Sequence, residues 1–316
     1  MSTETDKKRV RVFVPMTFEG VTSVAILEEI THPNIELEIR YTSYLDFREY
    51  DQFKEVDMVI VLGHVYKGYA LPDDFYVEVD NPFTDFIHAA TYGEQIQGNH
   101  IVSIVNPDSD PIKEICAFLH FNPDSSIISN NITFTDKAWH LIEAVNAYRT
   151  WSWEGNNTTR MLLALYYASY KWLPKLMRGL SLEETVRKHA PIIKGQLEKM
   201  DDYITRKREM SKHYTIDIDG QPCLVRIVFS DEYINELAND LLQVNTPYPV
   251  VVCVGRTTKS SDLFSIRTRH IDAGRVAYLI NEGNGKENVA SVFTGVGYAE
   301  LMGNGIISKL SQAEGL

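Results

Sequence analysis

Val10–Val14 reads VRVFV, then Gly20 leads into VTSVAILEEI over Val21–Ile30. The first stretch is an apolar run of buried-strand length, and the second repeats apolar residues at helical spacing. From Ile35 the chain reads IELEIRYTSY, which alternates like a half-buried strand, and Asp57–Gly63 reads DMVIVLG, a continuous apolar run closed by glycine. A short apolar run bounded by turn residues suits a parallel strand covered on both faces. Strand, helix, strand and a further buried strand are the opening of a parallel α/β sheet. The spacing predicts another strand at Ile101–Val105 and, after PDSDP, a helix over Ile112–Leu119.

Working outward, the middle of the chain is helical. KAWHLIEAVNAY (Lys137–Tyr148) and TTRMLLALYYASYKWLPKLM (Thr158–Met177) both carry helical periodicity. Ser181 and Glu184 form an S-x-x-E capping box. It opens a long segment through Lys212, expected to break or kink near Pro191. The charge-rich part of that segment reads as a connecting helix with a solvated face. Beyond Tyr214 the pattern changes: a hairpin around Asp219-Gly220, a helix over Tyr233–Leu242, strands at VVVCVGR and LFSIRTR, and a short helix over Gly274–Ile280. The expected architecture is α/β: a parallel-sheet domain over 1–180, a helical connector over 181–213, and a smaller α/β domain over 214–316.

The 316 residues are 44% hydrophobic and 23% charged, an ordinary globular composition that excludes coiled-coil, collagenous and disordered chains. Forty-three acids against 31 bases leave a net charge of −12, with no long block of one sign. That argues against broad, non-specific binding along a nucleic-acid backbone, which needs a basic face. It leaves room for one local basic pocket. Cys116, Cys223 and Cys253 lie far apart without CxxC spacing, which points to a reducing compartment and no thiolate metal site. The start, MSTETDKKRV, has no apolar signal region, and no apolar run reaches about 18 residues, so a cytoplasmic protein without a membrane partner is expected.

Three constellations carry chemistry. Ser265-Ile266-Arg267-Thr268 together with Gly283-Asn284-Gly285-Lys286 reads as an anion site. Glycines admit backbone N–H groups to an oxyanion, arginine supplies a fork and lysine a point charge. The plainer reading is a surface arginine and a turn. Thr17 and Glu19, just after the first strand, stand where loops line the usual ligand crevice of a parallel sheet; the plainer reading is an acid favoured by a helix N-terminus. Glu19, His64 and His88 would be an acceptable single-metal set, although no HxxxH or HxH spacing supports one. Trp151 and Trp153 read as core or interface aromatics.

AYRTWSWE (Ala147–Glu154), SDEYINELANDL (Ser230–Leu241) and LFSIRTRHIDAGRVA (Leu263–Ala277) together resemble the DHH phosphoesterase superfamily, in particular its nanoRNase or oligoribonuclease branch. The order and sizes of the segments agree over essentially the whole chain. The resemblance implies an N-terminal DHH domain, a connecting helix and a C-terminal DHH-associated domain. It further implies a two-metal phosphodiesterase, with Mn²⁺ ions held by Asp and His, and a C-terminal arginine and GGGH loop that grip the nucleotide end of the substrate.

Against that pattern the chain departs. The H-x-D-x-D-G motif corresponds to Pro15–Gly20, with Pro15 for histidine and Thr17 and Glu19 for the aspartates. Gly63, beside His64, stands for the next aspartate; the DHH triplet falls near His88-Ala89-Ala90; and Arg149 replaces the last aspartate. Two divalent ions need several carboxylates to balance and bridge them. The C-terminal motifs depart less, keeping Arg267 and exchanging the loop histidine for Lys286. What the resemblance implies is therefore a catalytically degenerate protein, a pseudoenzyme without a cofactor. It would bind a short oligonucleotide, dinucleotide, nucleotide or other phosphorylated ligand, or a protein partner, in an interdomain cleft. The vestigial positions are Thr17, Glu19, Gly63, His88 and Arg149. The ligand residues would be Ser265, Arg267, Thr268, Gly283, Asn284, Gly285 and Lys286. The alternatives are an active Mn²⁺- or Mg²⁺-dependent phosphodiesterase rebuilt on Glu19, His64 and His88 with help from Asp57 or Asp85, and a pure interaction or inhibitor subunit.

Overall fold

The computed structural model describes residues 7–69, 71, 86–153, 155–257, 261–295, 306 and 310. Asp85 and Glu154 lie outside the described residues. The chain divides into two compact units, Met1–Leu197 and Glu198–Leu316.

In the first unit five parallel strands form one sheet: β1 (Lys8–Val14), β2 (Ile35–Tyr41), β3 (Met58–Leu62), β4 (Phe86–Ala90) and β5 (Ile101–Val105). Their order is β2-β1-β3-β4-β5. Strand order therefore reverses at β1, the topological switch point where α/β sheets open a crevice beyond their strand ends. β3 and β4 are buried along their whole length, which accounts for the uninterrupted apolar run of DMVIVLG. The stretch holding His88-Ala89-Ala90, FIHAA (Phe86–Ala90), is strand β4, paired to β3 with His88 opposite Val61.

Helices α1 (Phe18–Ile30), α2 (Pro111–Phe121), α3 (Asp136–Arg149), α4 (Asn157–Ser169) and α5 (Leu173–Met177) complete the unit. α2, α3 and α4 begin at Asp110, Thr135 and Asn156, each of which accepts a backbone N–H of the first turn. The stretch Thr158–Met177 is two helices rather than one, parted at Tyr170, whose φ is 46°. Alternation along the strands supplies two cores. Val10, Val12, Val14, Ile60, Leu62, Ile87 and Ala89 meet the helices, whereas Phe13, Val59, Val61 and Phe86 meet Leu45, Phe47, Phe53 and Tyr66.

Helix α6 (Leu182–Met210) runs 29 residues, and the division between the units falls within it. The Ser181–Glu184 capping box is formed in both directions, at 2.8 and 3.1 Å. Of the break or kink expected near Pro191, the break does not occur: the helix continues through it.

The second unit holds one sheet in the order β10-β11-β9-β8-β7-β6. Its strands are β6 (Lys212–Ile218), β7 (Gln221–Phe229), β8 (Val250–Thr257), β9 (Asp262–Arg269), β10 (Asn284–Gly285) and β11 (Val289–Thr294). Only β7 and β8 pair in parallel. Asp219 and Gly220 take φ of 51° and 78°, the left-handed pair that a two-residue hairpin turn requires. Helix α8 (Ala273–Asn281) packs into a core with Phe264, Ile266 and Val292, and α7 (Ile234–Leu242) also lies against β8 and β9. Among the described residues no helix is long and apolar enough to cross a membrane.

Candidate functional site

At the carboxyl ends of β1, β3 and β4 lies a cavity of about 220 Å³. Pro15, Thr17, Glu19, Gly20, Ser23, Leu62, Gly63, Thr91, Asp110, Pro111 and Arg149 line it. Its walls are the loop after β1, the first turns of α1 and α2, and the last turn of α3. Four of the five vestigial positions, Thr17, Glu19, Gly63 and Arg149, thus come together within the first unit.

Local chemistry explains how. Thr17 caps α1, its Oγ1 accepting the Gly20 N–H at 3.3 Å. Gly20 has no room for a side chain, because a Cβ there would lie 2.1 Å from the Pro15 carbonyl oxygen. The close approach folds the Pro15–Met16 loop down onto α1, where the Tyr166 hydroxyl donates to the Met16 carbonyl at 3.1 Å. Phe18 packs against Tyr148 with ring centroids 4.6 Å apart and planes tilted by 59°, and Tyr148 in turn lies against Trp153. The neighbours of Phe18 and Tyr148 in the chain are Glu19 and Arg149. The aromatic contact therefore fixes the carboxylate and the guanidinium on one rim, and it gives Trp153 the core role its type suggested.

Asp110 is the residue that sequence reading missed. It is 1% exposed. Its backbone N–H donates to Asn146 Oδ1 at 3.1 Å, and its Oδ1 accepts the Ile112 N–H at 3.0 Å, capping α2. Its Oδ2 is buried without a hydrogen-bond partner, as is Nε of Arg149. Burial, reinforced by the charge of Glu19, pushes the Asp110 carboxyl up to about 7, against the opposing pull of the Ile112 N–H and of Arg149. The only local signal in PDSDP was an N-cap aspartate before a helix-starting proline.

The histidines are built differently. His88 is fully buried. Its Nε2 lies 2.8 Å from the His64 carbonyl oxygen and so donates to it. Ser103 Oγ already accepts the Ile96 N–H, which leaves its own O–H to donate to His88 Nδ1 at 2.9 Å. Both ring nitrogens are thus engaged, and the ring packs against Phe47 on the face of the sheet turned away from α1. Burial holds His88 below the usual histidine range. His64 is 6% exposed. Burial first, then its neighbour His88, lowers it to about 4. Neither histidine lines the cavity. Glu19, His64 and His88 are therefore not brought together as a ligand set, and Asp57 instead holds Lys8 and the Arg9 N–H at the opposite end of β1. Among the described residues no group of three or more His, Cys, Asp or Glu side chains is arranged to hold a metal ion. Two carboxylates facing a guanidinium do not fit a pair of divalent ions.

In the second unit the strand register brings the two expected stretches to one end of the sheet: β11 lies between β9 and β10, with Ser291 opposite both Ser265 and Asn284. Along β9, Phe264 and Ile266 face the core shared with α8, so Ser265 and Arg267 point to the other face. There Arg267 donates to the Ile266 carbonyl and to Asn235 Oδ1 of α7, both at 2.9 Å. Thr268 turns back and donates to the Glu287 carbonyl at 3.1 Å. Gly283-Asn284-Gly285-Lys286 is not a loop open to an oxyanion but includes strand β10. The Gly283 N–H donates to Ala277 O, the Gly285 N–H to Asn284 Oδ1, and the Lys286 N–H to Val289 O. The two glycines admit the neighbouring strand: a Cβ at Gly285 would lie 2.3 Å from the Ala290 Cβ, and one at Gly283 would lie 2.7 Å from the Ser291 carbonyl oxygen.

No family model matches the sequence, and no curated protein matches it. Solved structures do. One is the DHH domain of a protein described as belonging to a family of ribosomal proteins; the match is 10% identical with a TM-score of 0.59 and covers 96% of this chain and 87% of that one. Another is RecJ from Thermus thermophilus in complex with Mn²⁺, 11% identical with a TM-score of 0.54, covering 96% of this chain. This chain spans only 52% of that RecJ. At such identities the likeness is one of fold. The order of strands and helices, the two units and these structural matches agree: the chain has the fold of the DHH phosphoesterase superfamily.

Proposed function

We propose that this is a DHH-fold protein that binds a small phosphorylated ligand in the cavity beyond β1 and β3, without a two-metal centre. The observation that supports it is Arg149, which lines that cavity together with Thr17 and Gly20 at the start of α1. Phosphate oxygens match a guanidinium in charge and geometry. The N-terminus of α1 opens on the same cavity and favours the same charge. Glu19 sets the limit on the other side: it restricts the space for negative charge, which suits a single phosphoryl group better than a polyphosphate. The acidic balance of the chain agrees with a short ligand held by one end.

The test joins turnover to binding. Purified protein with added Mn²⁺ should show no turnover of a dinucleotide. The same dinucleotide should bind in isothermal titration, and Arg149→Gln should weaken that binding by roughly tenfold or more. Robust hydrolysis that disappears on Glu19→Ala would instead identify a working phosphodiesterase.

A further inference from the structure

Forty-three of the 316 residues are acidic, yet none lies from Gly155 to Leu182, where the bases are Arg160, Lys171, Lys175 and Arg178. In the fold this acid-free stretch is α4, the turn Tyr170–Trp172 and α5. The turn carries its rings outward: Tyr170 is 54% exposed and Trp172 50%. Tyr170 holds φ 46° and ψ −122°, a conformation that strains any residue but glycine. Leu173, Pro174 and Met177 are buried just beyond it and anchor the turn in the first unit. The cations beside the rings are of two kinds. Arg178 is held by Glu28 at 2.7 Å. Lys171 and Lys175 are exposed, and their ammonium groups lie 5.4 and 4.1 Å from the centre of the Trp172 ring. Among the described residues neither lysine meets a carboxylate.

We propose that Tyr170, Lys171, Trp172 and Lys175 form a docking surface for a protein partner, whose seated segment is acidic and carries an aromatic or aliphatic side chain. Exposed tryptophan and tyrosine beside cations supply what protein interfaces use at their centres: a large, rigid apolar contact with charge around it. Charge fixes the sign of the partner. The patch is positive on a chain whose net charge is −12, so an acidic segment is attracted here while the chain as a whole repels it. Two other occupants match less well. A single-stranded nucleic acid needs open ring faces for its bases to stack on, and here ammonium groups already lie over the Trp172 ring. A membrane surface holds a protein stably only through paired signals, such as a lipid chain with a polybasic cluster, and two lysines beside two rings fall short of that.

The experiment is isothermal titration of the full chain with a random copolymer of glutamate and tyrosine, and with polyglutamate as its counterpart without rings. The copolymer should bind more tightly than polyglutamate and lose affinity with added salt. Trp172→Ala should weaken it by about tenfold or more, and so should Lys171→Glu combined with Lys175→Glu. Reversing two exposed lysines outside the stretch, Lys188→Glu with Lys212→Glu, should weaken it by about twofold at most. The paired charge reversal keeps the inference testable if Trp172→Ala fails to fold. No binding of the copolymer overturns the inference. So does equal affinity for polyglutamate, which removes the apolar anchor, and so does an equal loss in the control pair, which reports net charge alone. Tighter binding of an oligoribonucleotide, or of vesicles of phosphatidylserine and phosphatidylcholine, that Trp172→Ala abolishes also overturns it. A dimer in sedimentation that Trp172→Ala breaks does the same, by making the occupant a second copy of this chain.

Discussion

Arg149 and Arg267 are the arginines that the sequence marks as anion partners, and the structure places them differently. Arg267 donates to a carbonyl of its own strand and to Asn235 of the helix above it, tying α7 to β9. Arg149 lines the wall of a cavity that Glu19 and Asp110 also line. Two acids, one in each unit, differ as well. Asp219 lies in a charged bond to Arg275 that holds it below the usual carboxylate range, whereas Asp110 is buried, half-satisfied and raised to about 7. Where donors and acceptors are matched within the chain, the polar groups fix the fold. Where a guanidinium and a carboxyl raised toward neutrality line one cavity, the fold has the makings of a binding site. The resemblance to DHH proteins suggested a lost centre in the first unit and a kept anion site in the second. The cavity lined by Arg149 makes the first unit a place to test for a ligand as well.

The comparison can be broken at its glycines, with the largest expected effect. Gly20→Ala forces a Cβ against the Pro15 carbonyl, backbone against backbone in a buried turn. It should cost about 3 kcal/mol or more in urea unfolding and distort the cavity. Gly285→Ala meets the buried Ala290 and the Val289 carbonyl oxygen, at 2.3 and 2.5 Å. It should cost about 2 to 3 kcal/mol and, since Gly285 does not line the cavity, leave ligand affinity unchanged. Loss of binding in Gly285→Ala with a stable fold would restore the loop as an anion site.

The arginines come next. Arg149→Gln should weaken a bound dinucleotide by roughly 10- to 100-fold, the worth of a charged hydrogen bond, with little change in stability. Arg267→Ala should do the reverse, lowering stability by about 1 to 3 kcal/mol through its lost bonds while affinity holds. Titration calorimetry and chemical unfolding on the same two variants decide the matter.

A smaller effect sharpens the contrast of the acids. The folded-state pKa of Asp110 lies above its unfolded value, so the folded form binds the extra proton. Stability from this group is present below about pH 4 and declines as pH rises toward about 7. Asp110→Asn removes the buried charge and keeps the cap, so it should gain on the order of 1 to 3 kcal/mol at pH 8 and nothing at pH 4. His64 acts with the opposite sign: its folded pKa is depressed to about 4, so its stability contribution is present above about pH 6.5 and fades as pH falls toward 4. Unfolding curves across this range for the wild type and Asp110→Asn separate the two contributions. The smallest expected effect is from metal: Mn²⁺ or a chelator should leave the melting temperature where it was, and a shift of several degrees would point to a metal site.

How much of this was legible follows from the range over which each signal acts. VRVFV, DMVIVLG, the helix after Gly20 and the Asp219-Gly220 hairpin are local patterns, and local geometry realises them. FIHAA is too short and too plain to announce a strand; it becomes one because β3 and β5 supply partners on both sides. At Pro191 the helix does not end, because a capping box and many further residues sustain it. Glycine spacing at 283–286 is identical for a phosphate loop and for a tight strand contact, and only the position of Ala290 and Ser291 tells them apart. Asp110 was hidden because its burial depends on Asn146, Glu19 and Arg149, each far away in the chain. Arg149 stood out only against the pattern of a family whose members carry an acid there.

The most direct measurement is an amide and arginine-side-chain NMR titration of the full chain with a dinucleotide at pH 6. Binding in the first unit predicts shifts at Glu19, Gly20 and Ile112 and at the Arg149 Nε–H, with Gly283–Lys286 unmoved. Shifts confined to Arg267 and Gly283–Lys286 would contradict it.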